Sequence, residues 1–206
     1  RLIAELTAEP VGPVTVTGIE KKKENKNAPL LYNLAELQND CSKYFKISPD
    51  ETLRIVQELY EKKMTTYPRT DARVLSTAVA KEIHKNIGGL RSYALATPFA
   101  KEVLEQGTYK NIAKTRYVND KQITDHYAII PTGQGLNNLA GLAPTAAKVY
   151  EVIVRRFLSI FYPPAVYQKF SLAVKVKEEN FFASFKVLVQ EGYLKVANFS
   201  FKKENT

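Results

Sequence analysis

Apolar residues recur three or four positions apart through the middle of the chain, and this spacing predicts helices. Asn33 and Ser48 each stand three residues before a glutamate, the pattern of a helix-capping box. The first two helices are joined by a short link, which predicts a helix-turn-helix-like pair, a motif that more often serves packing than groove reading. The predicted helices span residues 35–44, 49–62, 77–87, 98–106 and 145–161. The residues that this spacing predicts to face inward are Leu53, Val56, Leu59 and Tyr60 in the second helix and Val149, Val152, Ile153, Phe157 and Ile160 in the last.

Apolar and polar residues alternate near both ends of the chain, as they do in half-buried strands. Residues 11–19 predict one strand, and residues 166–176 and 181–196 predict a hairpin that pairs with it. Residues 20–27 are rich in lysine and asparagine and are predicted to be a solvated connector. Residues 108–141 lack helical spacing and are predicted to be an ordered loop with a short strand near 128–130.

These elements predict an α+β fold in which the chain enters a β domain, leaves it and returns. A helical domain that contains the helix-turn-helix-like pair is inserted into a discontinuous antiparallel β domain. We expect residues 1–28 and 161–206 to form the β-rich domain and residues 29–160 to form the helical one.

Composition narrows the class of partner without deciding it. Thirty basic residues against twenty-one acidic residues give a formal charge of +9, which fits a polyanionic partner and equally a solvated basic surface. Cys41 is the single cysteine and the chain has two histidines, so neither an internal disulfide nor a zinc cluster is expected. No apolar run approaches the length of a membrane span, and the first residues do not form a signal peptide.

One segment combines a tyrosine with a nearby cation. Pro68 disfavours helical backbone at Tyr67, so we expect this tyrosine after the end of a helix, presented from a turn. A phenol oxygen attacks a phosphodiester only if its anion is stabilised, and a cation beside it does that. Arg69 can direct two donors at a phosphate. By spacing alone, however, Tyr67 is more simply a half-buried packing residue.

Two segments carry a family resemblance. Residues 60–76 read Tyr-Glu-Lys-Lys-Met-Thr-Thr-Tyr-Pro-Arg-Thr-Asp-Ala-Arg-Val-Leu-Ser, and residues 125–132 read Asp-His-Tyr-Ala-Ile-Ile-Pro-Thr. In this order they resemble the active-site segment and the histidine block of the type IA DNA topoisomerases, with details that favour the topoisomerase III branch. Weaker agreement at residues 29–34, 148–151 and 191–193 extends the resemblance over nearly the whole chain.

The resemblance implies a reaction and assigns residues to it. Tyr67 is implied to attack a phosphodiester in single-stranded DNA, forming a 5′-phosphotyrosine link and releasing a 3′ hydroxyl, so that rejoining needs no ATP. Arg69 and His126 are the other implied catalytic residues. Tyr127 stands where relatives often have a second histidine, so the role of that imidazole is not carried over to it, and its aromatic ring can instead stack on a base. The implied DNA-binding residues are Arg69, Thr70, Asp71, Arg73 and His126.

Several of these residues have simpler interpretations from the sequence. Arg73 is by default a surface arginine, and Asp71 either orients Arg69 or caps a turn. His126 can be a satisfied histidine beside Asp125. For the whole chain, two alternatives stay open: a non-catalytic module that binds single-stranded DNA, and a scaffolding piece without DNA affinity.

The family's metal site is expected to lie elsewhere. It is implied to need an Asp-x-Asp-x-Glu cluster in an N-terminal domain, and the chain contains no such spacing. Because the chain also starts at Arg1, we expect a central fragment that is inactive or nearly so alone. The resemblance implies Mg²⁺ in the intact enzyme, bound by that other domain, and none bound here. We expect a monomeric, cytoplasmic bacterial protein near the nucleoid, acting with the missing domains of the same chain.

Overall fold

The computed structural model describes residues 14–201, which form two compact units. The β unit contains the described residues up to Asn27 together with Pro164–Gly192. The helical unit contains Ala28–Pro163 together with the described residues from Tyr193 onward. Helices and an antiparallel sheet are thus segregated along the chain, which is the α+β organisation that the sequence predicts.

Three antiparallel strands form the β unit, in the order β1-β2-β3. They are β1 (Val14–Lys26), β2 (Ala165–Val176) and β3 (Glu179–Gln190). The hairpin of β2 and β3 pairs with the first strand, as predicted. The first three residues of the predicted strand at 11–19 lie outside the described part of the chain.

The prediction of a connector at residues 20–27 was wrong. Residues through Lys26 continue β1, with Glu20 paired to Ser171 and Lys26 paired to Ala165. A strand needs a partner for its backbone but none for its side chains, and β1 is exposed along its whole length. Lysine-rich sequence therefore continues the strand because β2 is long enough to pair with it.

Residues after β3 also differ from the prediction, which continued the strand to residue 196 and placed 161–206 in the β-rich domain. Gly192 has a positive φ of 54°, and a short helix α7 (Leu194–Ala197) follows it. This segment packs with the helical unit, where the Tyr193 N–H donates to the Pro163 carbonyl at 3.0 Å. The Arg155 guanidinium donates a hydrogen bond to the Val196 carbonyl at 2.9 Å. Residues 202–206 lie outside the described part.

The helical unit begins with two helices joined by a three-residue turn. The Asn33 side chain accepts from the Glu36 N–H at 2.8 Å and the Ser48 hydroxyl accepts from the Glu51 N–H at 3.1 Å, so both predicted caps are present. The helices of this unit are α1 (Leu34–Phe45), α2 (Pro49–Glu61), α3 (Thr77–Lys81), α4 (Ile83–Gly89), α5 (Thr97–Gln106) and α6 (Pro144–Ser159).

Helix α6 lies at the centre of the core. Every residue that its spacing predicted to face inward is buried: Val149, Val152, Ile153, Phe157 and Ile160. The helix packs against both α2 and α7. Burial on most sides explains why apolar residues occupy more than one stripe of this helix.

Two predicted segments between α2 and α6 are arranged differently. The helix predicted at 77–87 is interrupted at Glu82, which separates α3 from α4. The predicted loop at 108–141 contains 3₁₀ turns at Thr108–Lys114, Asp120–Gln122 and Leu136–Gly141. Such short turns carry no helical periodicity, so the hydrophobic pattern cannot reveal them.

Candidate active site

The two segments that resemble the family motifs lie side by side in the helical unit. The Thr66 N–H donates to the Ile130 carbonyl at 3.0 Å, and the Thr132 N–H donates to the Met64 carbonyl at 3.0 Å. Thr65 and Pro131 form an antiparallel bridge between these bonds. The residues just before Tyr67 are therefore fixed to the end of the histidine block.

Side-chain hydroxyls strengthen this junction on both sides of Tyr67. The Thr66 hydroxyl donates to the Ala128 carbonyl and accepts from the Ile130 N–H, each at 3.0 Å. The Thr70 hydroxyl donates to the His126 carbonyl at 3.3 Å. Anchors before and after the tyrosine restrict the backbone that carries its ring.

Tyr67 and His126 share one open cleft of about 870 Å³. Their ring centroids are 4.5 Å apart, and the ring of Tyr60 meets Tyr67 edge-on with centroids 5.3 Å apart. The cleft therefore combines a phenol, an imidazole and an aromatic wall. Its lining residues are Tyr60, Glu61, Lys63, Thr65, Thr66, Tyr67, His126, Tyr127, Thr132 and Gln134.

The reactive atoms of the cleft are available to a ligand. Tyr67 is half-buried and His126 is exposed. Within residues 14–201, no hydrogen bond engages the Tyr67 hydroxyl or the His126 ring. The interpretation of His126 as a histidine satisfied by its neighbour Asp125 finds no hydrogen bond to support it in this part of the chain.

Tyr67 lies on irregular backbone after the end of a helix, as expected. Helix α2 ends at Glu61, and Lys63 adopts a left-handed φ of 61° that turns the chain towards the histidine block. Pro68 is buried, and its carbonyl accepts from the Thr70 N–H at 3.0 Å. The tyrosine thus stands between a helix end and a tight turn.

The structure does not bring Arg69 into the cleft. Arg69 and Asp71 are exposed, and neither lines the cleft. No ion pair joins the two side chains in the described part of the chain. The roles assigned to them stay predictions.

Thr70 and Arg73 make internal bonds instead of facing the cleft. Thr70 is buried, and its hydroxyl also accepts from the Ala72 N–H at 3.1 Å. Arg73 donates to the carbonyls of Leu31 at 3.1 Å and Leu30 at 3.3 Å. Their DNA contacts stay predictions, but these bonds give both side chains a structural role that the sequence did not indicate.

Sequence reasoning missed part of the cleft wall. Tyr60 was interpreted as a member of the inward stripe of α2, yet it is 40% exposed and contacts Tyr67. Its position seven residues before Tyr67 in the same motif was the available signal. Tyr127 also lines the cleft, and burial raises the pKa of its phenol, so this third tyrosine of the cleft is held neutral.

Gly135 fixes the turn after the histidine block against the end of α2. Its φ is +71°, and a Cβ at this position would lie 2.4 Å from the Lys62 carbonyl oxygen. We expect Gly135→Ala to lower the free energy of unfolding by about 2 kcal/mol or more, from left-handed strain and the clash with backbone. Urea unfolding measures this change in free energy, and Gly141→Ala is the control variant.

A Cβ at Gly141 meets no atom within 4 Å, so the control variant should change stability by less than about 0.5 kcal/mol. Similar losses in both variants would contradict the close packing of Gly135 on α2.

A metal centre is not assembled by the described residues. Within 14–201, no group of three or more histidine, cysteine, aspartate or glutamate side chains could hold an ion. Cys41 is buried, which raises the pKa of its thiol to about 12 and keeps it protonated. No helix between these limits is long and apolar enough to cross a membrane.

Comparison with known proteins decides the family. The profile of a DNA topoisomerase family matches residues 1–206. The chain belongs to the type IA DNA topoisomerases. Among named relatives, a DNA topoisomerase 3 from Bacillus cereus is 36% identical over 194 residues, which are 93% of this chain and 26% of the relative. A DNA topoisomerase 3 from Bacillus subtilis is 35% identical over 179 residues, 86% of this chain and 24% of the relative.

The fold also has a solved counterpart. Full-length topoisomerase I from Thermotoga maritima superposes with a TM-score of 0.64 at 20% sequence identity, over 95% of this chain and 32% of that one. The chain thus spans about a quarter of the length of the curated topoisomerases it matches. What such a complete enzyme does is for this chain a matter of proposal.

Proposed function

We propose that this chain carries the DNA-cleaving tyrosine of a type IA topoisomerase, and that the tyrosine is Tyr67. The observation that supports this most strongly is the contact of Tyr67 with His126 in one cleft, where their ring centroids are 4.5 Å apart. Backbone hydrogen bonds join the two segments that carry these residues. A free phenol hydroxyl beside an exposed imidazole suits attack on a phosphate.

The proposed reaction is a transesterification in single-stranded DNA. The Tyr67 oxygen forms a bond to phosphorus, and the bond from phosphorus to the 3′ oxygen breaks. The phenol proton leaves, and the released 3′ oxygen ends as a hydroxyl, while the 5′ phosphate remains on the tyrosine. Because one phosphodiester replaces another, the reverse step rejoins the strand without ATP. Passage of another strand through the gap would change DNA topology.

His126 is proposed to hold the phosphate oxygens as negative charge develops on them, which its exposed ring beside Tyr67 allows. Arg69 is proposed to bind the same phosphate from its exposed position. We place Asp71, Thr70 and Arg73 in the DNA-binding segment as well, with the last two acting through the internal bonds that shape it.

The proposal extends to parts of the enzyme outside these residues. The described chain offers no cluster that fits Mg²⁺, so we assign the magnesium chemistry of the family to other domains and expect little turnover from this chain alone. The names of the relatives support the topoisomerase III branch and a bacterial source, and we place the protein in the cytoplasm, where the DNA of a bacterium lies. The pair of α1 and α2, which lies between β1 and β2 along the chain, is proposed to act as a helix-turn-helix-like support for Tyr67.

Binding of single-stranded DNA tests the partner that this function needs. We expect the chain to bind a short single-stranded oligonucleotide at low salt, with a log–log salt slope of about −0.7 for each phosphate neutralised. Fluorescence anisotropy across a salt series measures the slope, and a duplex of the same sequence serves as the comparison.

A flat salt response, or no binding at low salt, would contradict the proposal and favour a scaffolding role. Binding without any covalent step in a complete enzyme would instead favour the non-catalytic binding module. Covalent trapping with the Tyr67→Phe variant, described in the Discussion, distinguishes these outcomes.

A further inference from the structure

Lys63 places a lysine side chain in the cleft from an unusual backbone conformation. Its φ is +61°, in the left-handed region where glycine is the usual residue. The Met64 N–H donates to the Leu59 carbonyl and the Lys63 N–H donates to the Tyr60 carbonyl, each at 2.9 Å. These two bonds end α2 in a Schellman-type turn, for which glycine is the commonest choice at this position.

The histidine block holds Lys63 in that conformation. The Thr132 hydroxyl donates to the Lys63 carbonyl at 2.6 Å, and the neighbouring Lys62 carbonyl accepts from the Asn138 side chain at 3.3 Å. Lys63 is therefore anchored to the same segment that carries His126. Its backbone is therefore fixed at the wall of the cleft.

Charge distinguishes Lys63 from its neighbour. Lys62 forms an ion pair with Glu58 at 2.8 Å, which neutralises it. Lys63 is exposed and lines the cleft with Tyr67 and His126, and no carboxylate pairs with it in the described residues. Glu61 lines the cleft too but forms no ion pair with Lys63 there. Lys63 thus brings to the lining of this cleft an ammonium group that has no ion-pair partner among the described residues.

We propose that the Lys63 ammonium group binds a backbone phosphate of the single-stranded DNA in the cleft and so positions the strand at Tyr67. This inference rests on the proposed function and adds a residue to it. A point charge on a flexible stem suits a phosphate that must move during strand cleavage and rejoining. Among the described residues that line the cleft, Lys63 is the one lysine and no arginine is present.

A simpler interpretation is that Lys63 only interacts with the carboxyl end of α2, where cations are favourable. The chain contains a matched position for this alternative. Lys46 follows α1, also with a left-handed φ of 57°, and it is exposed but does not line the cleft. A lysine that serves only the helix end should behave like Lys46.

The experiment compares Lys63→Gly with Lys46→Gly in the 206-residue chain. Both changes introduce glycine, which adopts left-handed backbone without strain, so neither should lower the thermal unfolding midpoint appreciably. We expect Lys63→Gly to weaken binding of a single-stranded oligonucleotide about three- to tenfold at low salt and to flatten the salt slope by about 0.7, the loss of one phosphate. Lys46→Gly should change neither the affinity nor the salt slope. Lys63→Arg, which keeps the positive charge, should leave both close to those of the unmodified chain.

An unchanged affinity and slope in Lys63→Gly, with normal binding by the unmodified chain, would overturn the role of Lys63 and leave the proposed function intact. Equal losses in Lys63→Gly and Lys46→Gly would assign the effect to general surface charge and also overturn it. Absence of salt-dependent binding by the unmodified chain would remove this inference together with the proposed function.

Discussion

Replacing Tyr67 by phenylalanine should abolish covalent attachment to DNA and leave the fold unchanged. The assay uses a full-length topoisomerase that carries residues 1–206, because the chain spans about a quarter of its relatives. Removal of the attacking oxygen leaves no bond to form, so trapped adduct should fall by more than roughly a thousandfold. The hydroxyl has no hydrogen-bond partner within residues 14–201, so the free energy of unfolding should stay within about 0.5 kcal/mol.

Tyr60→Phe is the matched control for that experiment. Tyr60 lines the same cleft and touches Tyr67 with its ring, so this variant also removes one hydroxyl from the site and keeps the aromatic contact. Adduct should form with Tyr60→Phe in nearly normal amounts. Normal adduct from Tyr67→Phe, or its loss from both variants, would show that the hydroxyl of Tyr67 is not the specific nucleophile.

The largest loss of stability is expected from Glu151→Ala. Glu151 is 2% exposed, and its carboxylate accepts from Arg155 at 2.7 Å and from the Ser200 N–H at 2.8 Å. Without it the buried Arg155 guanidinium loses its counter-ion. Breaking one partner of a buried pair costs about 3–5 kcal/mol, a large part of the ~5–15 kcal/mol that stabilises a domain. Urea unfolding followed by far-UV circular dichroism measures the change.

Glu102→Ala provides the matched surface pair. Glu102 accepts from Lys195 at 2.9 Å, so both glutamates stabilise the segment after residue 192, but this pair is solvent-exposed. Its loss should cost about 0–1 kcal/mol. Comparable effects of the two variants would contradict a buried charge pair holding that segment to the helical unit.

Elements with strong local signals were predictable. The buried stripe of α6 follows from its spacing, and the caps at Asn33 and Ser48 follow from residue type and the glutamate three positions later. The lysine-rich part of β1 was not predictable in this way, because its strand state depends on the length of β2. Likewise Val196 alternates as a strand residue would, but Arg155 binds its carbonyl within the helical unit.

The site shows the same division between local and long-range information. Tyr67 and His126 were identified from motifs, and the structure brings their rings together through the bonds of Thr66 and Thr70 to the histidine block. The internal bonds of Arg73 to Leu30 and Leu31 depend on contacts far apart in sequence, so its residue type alone suggested a surface role. Tyr60 was misassigned because an aromatic residue at helical spacing resembles core.

In the proposed reaction, Tyr67 becomes joined to the 5′ end of cleaved single-stranded DNA. The most direct test of this link is to trap the covalent complex of the full-length enzyme with denaturant, digest it, and identify the modified peptide by mass spectrometry. The proposal predicts a nucleotide linked through its 5′ phosphate to Tyr67, in the peptide that continues into Pro68. A nucleotide on Tyr60 or Tyr127, or a link through a 3′ phosphate, would contradict it.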